Sequence, residues 1–314
     1  MRPFGVLVVP IVFSCLIFSS CFNDRIGEQT IIDAGDTDRD GGISNDEYRL
    51  VAIGDLHGDI TATREAFRLA GAIDAQDNWI GGDMVVVQVG DQVDRSYEDR
   101  PVIDFLEEIK LKAKAQGGAL HLLNGNHETM NVELDFRYVH DSAWKDFEDI
   151  EYDADDAVLL SYPEEQRGRV AAFRPGGQYA KILGGNKTVI MLRNTVFVHG
   201  GLLPMHTDYG IDNINNDISD WMRGEALEPS LLIGGDGPVW DRTYANYISQ
   251  EDCEVLAETL ASLSATRLVV AHTVQYEINS ACDGKVWRID TGMSEYYGGF
   301  VSILEITDND VIVW

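Results

Sequence analysis

Apolar runs in this chain repeatedly stop short in Asp, Asn or His. Val51-Ala52-Ile53 leads into Gly54-Asp55-Leu56-His57-Gly58-Asp59, and Val85-Val86-Val87-Gln88-Val89 leads into Gly90-Asp91-Gln92-Val93-Asp94-Arg95. The same change occurs before Asn124-Gly125-Asn126-His127-Glu128, before His199-Gly200-Gly201 and before Ala271-His272-Thr273. Short continuous runs of Val, Ile, Leu and Phe bounded by turn residues predict buried strands, here over 49–53, 84–89, 119–123, 195–198 and 267–270. Helical spacing predicts helices over 61–70 and 99–115, the second ended by Gly117-Gly118. This βαβαβ order implies parallel pairing with right-handed crossovers, which puts the first three polar blocks on one sheet edge. A hairpin over 188–192 and 195–198, turning at Arg193-Asn194, delivers His199, and further strands are expected over 286–289, 300–306 and 311–314.

Ligands placed just beyond strand ends converge on one rim, the place where open α/β sheets bind. Five separated blocks can therefore build one pocket. Carboxylate, amide and imidazole donors without a cysteine among them suit Mn, Fe or Zn rather than a thiolate site. Between 131 and 185 the pattern loosens into acidic and aromatic residues, which predicts a helical insertion over the pocket.

Composition narrows the partners. The 314 residues are 45% hydrophobic, enough for a substantial core in one large domain. With 24 basic against 53 acidic residues, the formal charge of −29 argues against nucleic-acid binding and against non-specific attachment to anionic lipid.

The first 21 residues have the order of a secretory signal: Arg2, an apolar stretch over 6–18, then Ser19-Ser20-Cys21. Phe18-Ser19-Ser20-Cys21 resembles a bacterial lipobox, which would make Cys21 a lipidated first residue; an ordinary cleaved signal is the alternative. Either way the expectation is an exported, periplasmic protein. In that setting Cys253 and Cys282 could pair, or remain two buried thiols. Within the 22–47 linker, Asp36, Asp38, Asp40, Gly41, Gly42 and Glu47 fill a twelve-residue calcium-loop template, Gly42 at the position that offers its carbonyl. A structural Ca²⁺ staple and a solvated acidic linker are both compatible with it. The rest, 48–314, reads as the chemical domain.

Taken together, the blocks resemble those of the calcineurin-like metallophosphoesterases, in particular the phosphoprotein phosphatase branch with its GDxHG, GDxxDRG, GNHE and HGG motifs and late histidine. Within that branch the chain is most similar to the Shewanella-like protein phosphatases of bacteria, which share His199-Gly-Gly-Leu202, Gly237-Pro-Val-Trp240 and Asp290-Thr-Gly-Met-Ser294. The resemblance implies an α/β fold with a central β-sandwich, built from βαβαβ units and flanked by helices. It implies that Asp55 and His57 bind one metal, that Asp91 bridges, and that Asn126, His199 and His272 bind the second. His127 would protonate the leaving oxygen with Asp94 orienting it, and Arg95, with Arg242 a weaker candidate, would bind phosphate. Ser96 departs from the usual Gly of the branch.

The implied reaction is dephosphorylation of phosphotyrosine or phosphoserine/threonine in proteins by in-line attack of a metal-bound hydroxide. Hydrolysis of dinucleoside polyphosphates or other small phosphate esters is the alternative enzyme. A calcium-binding lipoprotein that kept the fold without activity is the alternative class. Asp59 is expected to hydrogen-bond a metal ligand, and substrate choice is expected to reside in 131–185 and in loops near Trp221 and Trp240.

Overall fold

The computed structural model describes residues 48–307 and 310–314. Cys21 and the acidic-loop residues Asp36, Asp38, Asp40, Gly42 and Glu47 lie outside them. Strand β1 (Leu50–Ile53) is followed by helix α1 (Ile60–Leu69), β2 (Val85–Gln88), α2 (Asp99–Ala115), β3 (Ala119–Leu122) and α3 (Asn126–Val132). A 3₁₀ segment (Asp141–Phe147) and helices α4 (Ala157–Leu160), α5 (Glu164–Phe173) and α6 (Gln178–Leu183) occupy the stretch before β4 (Val189–Leu192) and β5 (Thr195–Val198). Helices α7 (Pro204–Tyr209), α8 (Ile211–Met222), α9 (Ser230–Ile233) and α10 (Gln250–Ser262) precede β6 (Arg267–Val270). Strands β7 (Asn279–Ala281), β8 (Val286–Arg288), β9 (Leu304–Ile306) and β10 (Val311–Val313) follow.

The strands form two sheets, ordered β10-β9-β1-β2-β3 and β4-β5-β6-β8-β7. Pairing is parallel through β1-β2-β3 and through β5-β6-β8, with antiparallel strands at the margins. Parallel strands buried on both faces read as unbroken apolar runs, and β1 and β5 are buried at every position. Alternation still sorts their side chains. Val51, Ile53 and Val86 pack with Ile60 and Phe67 of α1 and with Phe105 and Leu106 of α2. Leu50, Ala52, Val85 and Val87 face Phe197, Val269 and Ile289 of the other sheet. Val196, Val198, Leu268 and Val270 face Tyr179, Ile214, Ile218 and Leu256 on the far side. The result is a helix–sheet–sheet–helix sandwich whose two sheets share an apolar interior.

Three expectations change. Of the run 300–306 only Leu304–Ile306 is strand; Phe300 stays half exposed and its carbonyl accepts the Thr291 hydroxyl at 2.8 Å. Strand β7, Asn-Ser-Ala, has no β-branched or large apolar residue to announce it, and forms because β8 offers a free edge. Trp221 lies in no substrate loop; it is buried on the core face of α8.

Cys253 on α10 and Cys282 in the β7–β8 turn are joined by a disulfide, their Cα atoms 5.3 Å apart and their positions 29 residues apart in sequence. Closing a loop of that size in the unfolded chain stabilises the fold by about 3–4 kcal/mol on the chain-entropy model. Replacing both cysteines by Ser is therefore expected to lower the free energy of unfolding in urea by about 2–4 kcal/mol, and dithiothreitol should destabilise the native chain but leave the double variant unchanged.

Candidate metal centre and proton relay

The ligand-bearing residues sit in tight loops where strands end, and the loops are stitched across one another. Leu56 and His57 both donate their backbone N–H to Asp91 O at 2.9 Å, and Gly58 N–H donates to Gln92 O at 2.9 Å. Gly90, at φ +87°, lies so close to the β3 loop that a Cβ there would meet Gly125 N at 2.7 Å and His199 Nδ1 at 2.9 Å. His57, Asp91 and His272 themselves adopt positive φ (49°, 53° and 67°), a conformation uncommon for residues with a side chain and often found at functional sites.

Asp91 is the meeting point. Its Oδ2 is 3.1 Å from His199 Nε2, 3.8 Å from His57 Nε2 and 3.9 Å from His127 Nε2, and its Oδ1 accepts the His127 backbone N–H at 3.0 Å. His199 Nδ1 is 2.8 Å from Val89 O and His57 Nδ1 is 3.2 Å from Val93 O, contacts that place the proton on Nδ1 and leave each Nε2 lone pair facing inward. His199 Nε2 is also 3.1 Å from Asn126 Oδ1 and 3.2 Å from His272 Nδ1. Asp55 stands 3.7 Å from His57 Nε2, and its buried Oδ2 has no hydrogen-bond donor. Lone pairs thus face lone pairs in a buried space, which costs free energy unless a cation lies between them.

Two divalent cations fit this donor set: Asp55, His57 and Asp91 can hold one, and Asp91, Asn126, His199 and His272 the other. The acid–base properties agree. Burial, with Asp290 and Asp91 nearby, pushes Asp55 well above the usual carboxylate range, and burial pushes Asp290 up to about 6, helped by the charge on Asp91. Burial beside His127 lowers His57 to about 3, and burial beside His199 lowers His272 strongly, so both are neutral imidazoles ready to ligate. Asp91 itself is held well below its ordinary value, against the effect of burial, chiefly by His199 and then His127.

His127 lies within ligand distance of His57 and Asp91, yet its Nδ1 is engaged at 2.7 Å by Asp94 Oδ2. Burial pulls its pKa down, while the Asp91 and Asp94 carboxylates more than offset this and raise it. Asp94 makes no salt bridge with Arg95. It accepts from Asn131 Nδ2 at 3.0 Å and from the buried Arg169 at 2.9 Å. Removing one partner from a buried charge set of this kind typically costs about 3–5 kcal/mol. The Arg95 guanidinium lies 3.7 Å from the Tyr138 ring centre, with Tyr296 and Tyr297 at 5.3 and 5.9 Å. Arg242 donates to Thr273 Oγ1 and, at 3.4 Å, to His272 O, beside the second cluster. Asp59 touches no metal-ligating side chain: it caps α1 through Ala62 N at 2.9 Å and accepts Glu295 N–H at 2.8 Å, as an Asp one residue before a helix is suited to do.

Several residues escaped the sequence reading. Glu128, third residue of α3, accepts from the backbone N–H of Asp91 at 2.8 Å, Gln92 at 2.7 Å and Gly125 at 2.6 Å, clamping two ligand loops together. Asp290 follows Val286-Trp287-Arg288-Ile289, a strand expected from the sequence, so the same strand-then-acid pattern could have found it. Asn131, Asp99 and Arg169 carry no local signal, because their roles exist only once the Arg169 side chain of α5 reaches Asp99 and Asn131.

A model of the family described as calcineurin-like phosphoesterase matches residues 48–276. "Shewanella-like protein phosphatase 2" of Arabidopsis thaliana is 39% identical over 292 residues, covering 82% of this chain and 75% of that protein. "Shewanella-like protein phosphatase 1" of Plasmodium berghei is 29% identical, covering 84% and 73%. Among solved structures, the cold-active protein-tyrosine phosphatase of a psychrophilic Shewanella superposes with a TM-score of 0.69 at 23% identity, over 86% of this chain and 80% of that one, a likeness of fold.

Chelation should lower the melting temperature and Mn²⁺ should restore it. A ligand at a hundred times its dissociation constant stabilises by about 2.7 kcal/mol. Asp91→Asn is expected to abolish the Mn²⁺-dependent shift in a thermal melt; an equal shift in that variant would count against this centre.

Proposed function

The chain belongs to the calcineurin-like phosphoesterase family, and from that premise we propose that it is a phosphoprotein phosphatase that uses two divalent cations and prefers phosphotyrosine. The observation that carries the reading is Asp91, whose Oδ2 lies within 3.1–3.9 Å of three imidazole nitrogens. The likeness to Shewanella-like protein phosphatases supports a phosphoprotein substrate. When bound, the cations supply Lewis acidity at the phosphoryl group and an activated water; Mn, Fe or Zn suits the oxygen and nitrogen donors.

The remaining chemistry falls to the protein's own side chains. Asp55, His57 and Asp91 would hold one cation, and Asp91, Asn126, His199 and His272 the other. Arg95 presents a planar fork to two phosphate oxygens, and Arg242 adds positive charge on the His272 side. His127 gives the proton from Nε2 to the departing oxygen, while Asp94 holds Nδ1 and stabilises the charged ring. Preference for phosphotyrosine is supported by the rings around Arg95: Tyr138, Tyr296 and Tyr297 offer faces for an aromatic leaving group beside the phosphate-binding fork. A phenol, with a pKa of about 10, also departs with less help than an alkoxide.

We further propose export with a lipid at Cys21 and a Ca²⁺ at Asp36, Asp38, Asp40, Gly42 and Glu47, readings that rest on sequence. The Cys253–Cys282 disulfide supports an oxidising compartment.

Assayed with Mn²⁺ on matched phosphotyrosine and phosphoserine peptides beside dinucleoside tetraphosphate, the protein should turn over the phosphotyrosine peptide fastest. Faster turnover of the dinucleotide would overturn the reading. His127→Ala should slow phosphoserine hydrolysis by about a hundredfold or more and phosphotyrosine hydrolysis by less, since general acids contribute about 10²–10⁴ and matter most for poor leaving groups.

A further inference from the structure

Helix α5 carries a guanidinium that no surface exchange of charge explains. Arg169 is fully buried, and each limb of its fork has a separate partner: Nη2 donates to Asp94 Oδ1 at 2.9 Å, Nη1 to Asp99 Oδ2 at 2.6 Å and Nε to Asn131 Oδ1 at 2.9 Å. Asn131 in turn donates from Nδ2 to Asp94 Oδ1 at 3.0 Å and to His127 O at 2.9 Å. Asp99 Oδ1 accepts the Asp94 backbone N–H at 2.8 Å. The rings of Phe136, Trp144, Phe147 and Phe173 surround the guanidinium carbon at 5.0–5.9 Å.

This geometry leaves Asp94 one orientation. Two donors hold Oδ1, the backbone is pinned by Asp99, and Oδ2 alone is free to meet His127 Nδ1 at 2.7 Å. An arginine needed only to balance charge could pair with Asp99 and stop there. Here it spends a second limb on the very carboxylate that aims the imidazole, and a third on the amide that touches both residues of the pair. We propose that Arg169 is a positioning residue for proton delivery, through which α5 sets the alignment of the Asp94–His127 pair. The inference rests on the reading of His127 as the general acid. Lysine cannot substitute, because a single ammonium cannot satisfy three acceptors in one plane.

The test compares Arg169→Lys with the double variant Arg169→Met/Asp99→Asn, which removes the cation together with one buried carboxylate and so avoids an uncompensated anion. In ¹⁵N-histidine-labelled protein, the low-field Nδ1–H resonance of His127 should be lost or moved upfield in both variants. The His199 Nδ1–H resonance, bonded to Val89 O, should persist as the internal sign of an intact fold. With Mn²⁺ present, the ratio of kcat on p-nitrophenyl phosphate to kcat on phenyl phosphate should rise about tenfold, a fraction of what a general acid supplies; the unfolded fraction cancels in that ratio. In a His127→Ala background the substitution at Arg169 should leave the ratio where His127→Ala alone puts it. An unchanged His127 resonance, an equal loss on both esters, or a further rise in the His127→Ala background overturns the proposal. A native protein that hydrolyses neither ester overturns the functional reading instead, and the resonance still decides the role of Arg169.

Discussion

A single buried carboxylate holds this molecule's chemistry in place. Asp91 has three imidazole nitrogens within 3.1–3.9 Å of its Oδ2 and accepts the His127 backbone N–H on Oδ1. Its carbonyl accepts two backbone N–H groups of the β1 loop, and its own N–H is clamped by Glu128 at the start of α3. One residue after β2 thus ties together segments that follow β1, β2, β3 and β5. A charge so deep is costly unless every neighbour answers it, so the surrounding loops have little room to vary. The positive φ angles at His57, Asp91 and His272 fit this view: the backbone accepts unfavourable conformations where ligand direction demands them.

Much of this was legible in the chain because it is local. Unbroken apolar runs announced β1, β2, β5 and β6, and the polar residue after each run announced a rim. What could not be read is relational. Arg169 on α5 gives no sign of being anything but a surface cation until α5 lies against Asp94 and Asp99. Asp59 stands beside a metal block and so resembles a partner of ligands, whereas a helix begins at the next residue and claims its oxygen. Trp221, grouped with loop residues, belongs to the apolar face of an amphipathic helix whose partners are distant in sequence. Whether Cys253 and Cys282 meet depends on how the β7–β8 turn meets α10, which no spacing rule supplies.

The site divides into a buried ligand cluster and the approach to it. The cluster around Asp91 is built from strand-end loops with few alternatives. The approach to it is made of side chains from elsewhere: Tyr138 from the segment after α3, and Tyr296 and Tyr297 from the loop after β8, gathered around Arg95. Two of these rings also lie against the site itself, Tyr138 beside the His127 ring and Tyr297 beside the His57 ring, with centroids 5.2 Å apart in both pairs, so the approach and the chemistry share a wall.

The centre also draws on both sheets. Asp55, Asp91 and Asn126 follow strands of the first, and His199, His272 and Asp290 follow strands of the second. Loops of the first sheet carry the donors for one cation, whereas the second cation needs Asp91 and Asn126 from the first sheet together with His199 and His272 from the second. The paired-cation centre is therefore complete only where the apolar faces of the two sheets meet and bring these loops into register. Because β9 and β10 return to the first sheet after the second is complete, the two sheets are interleaved in sequence, and the centre belongs to the whole domain and to no separable half.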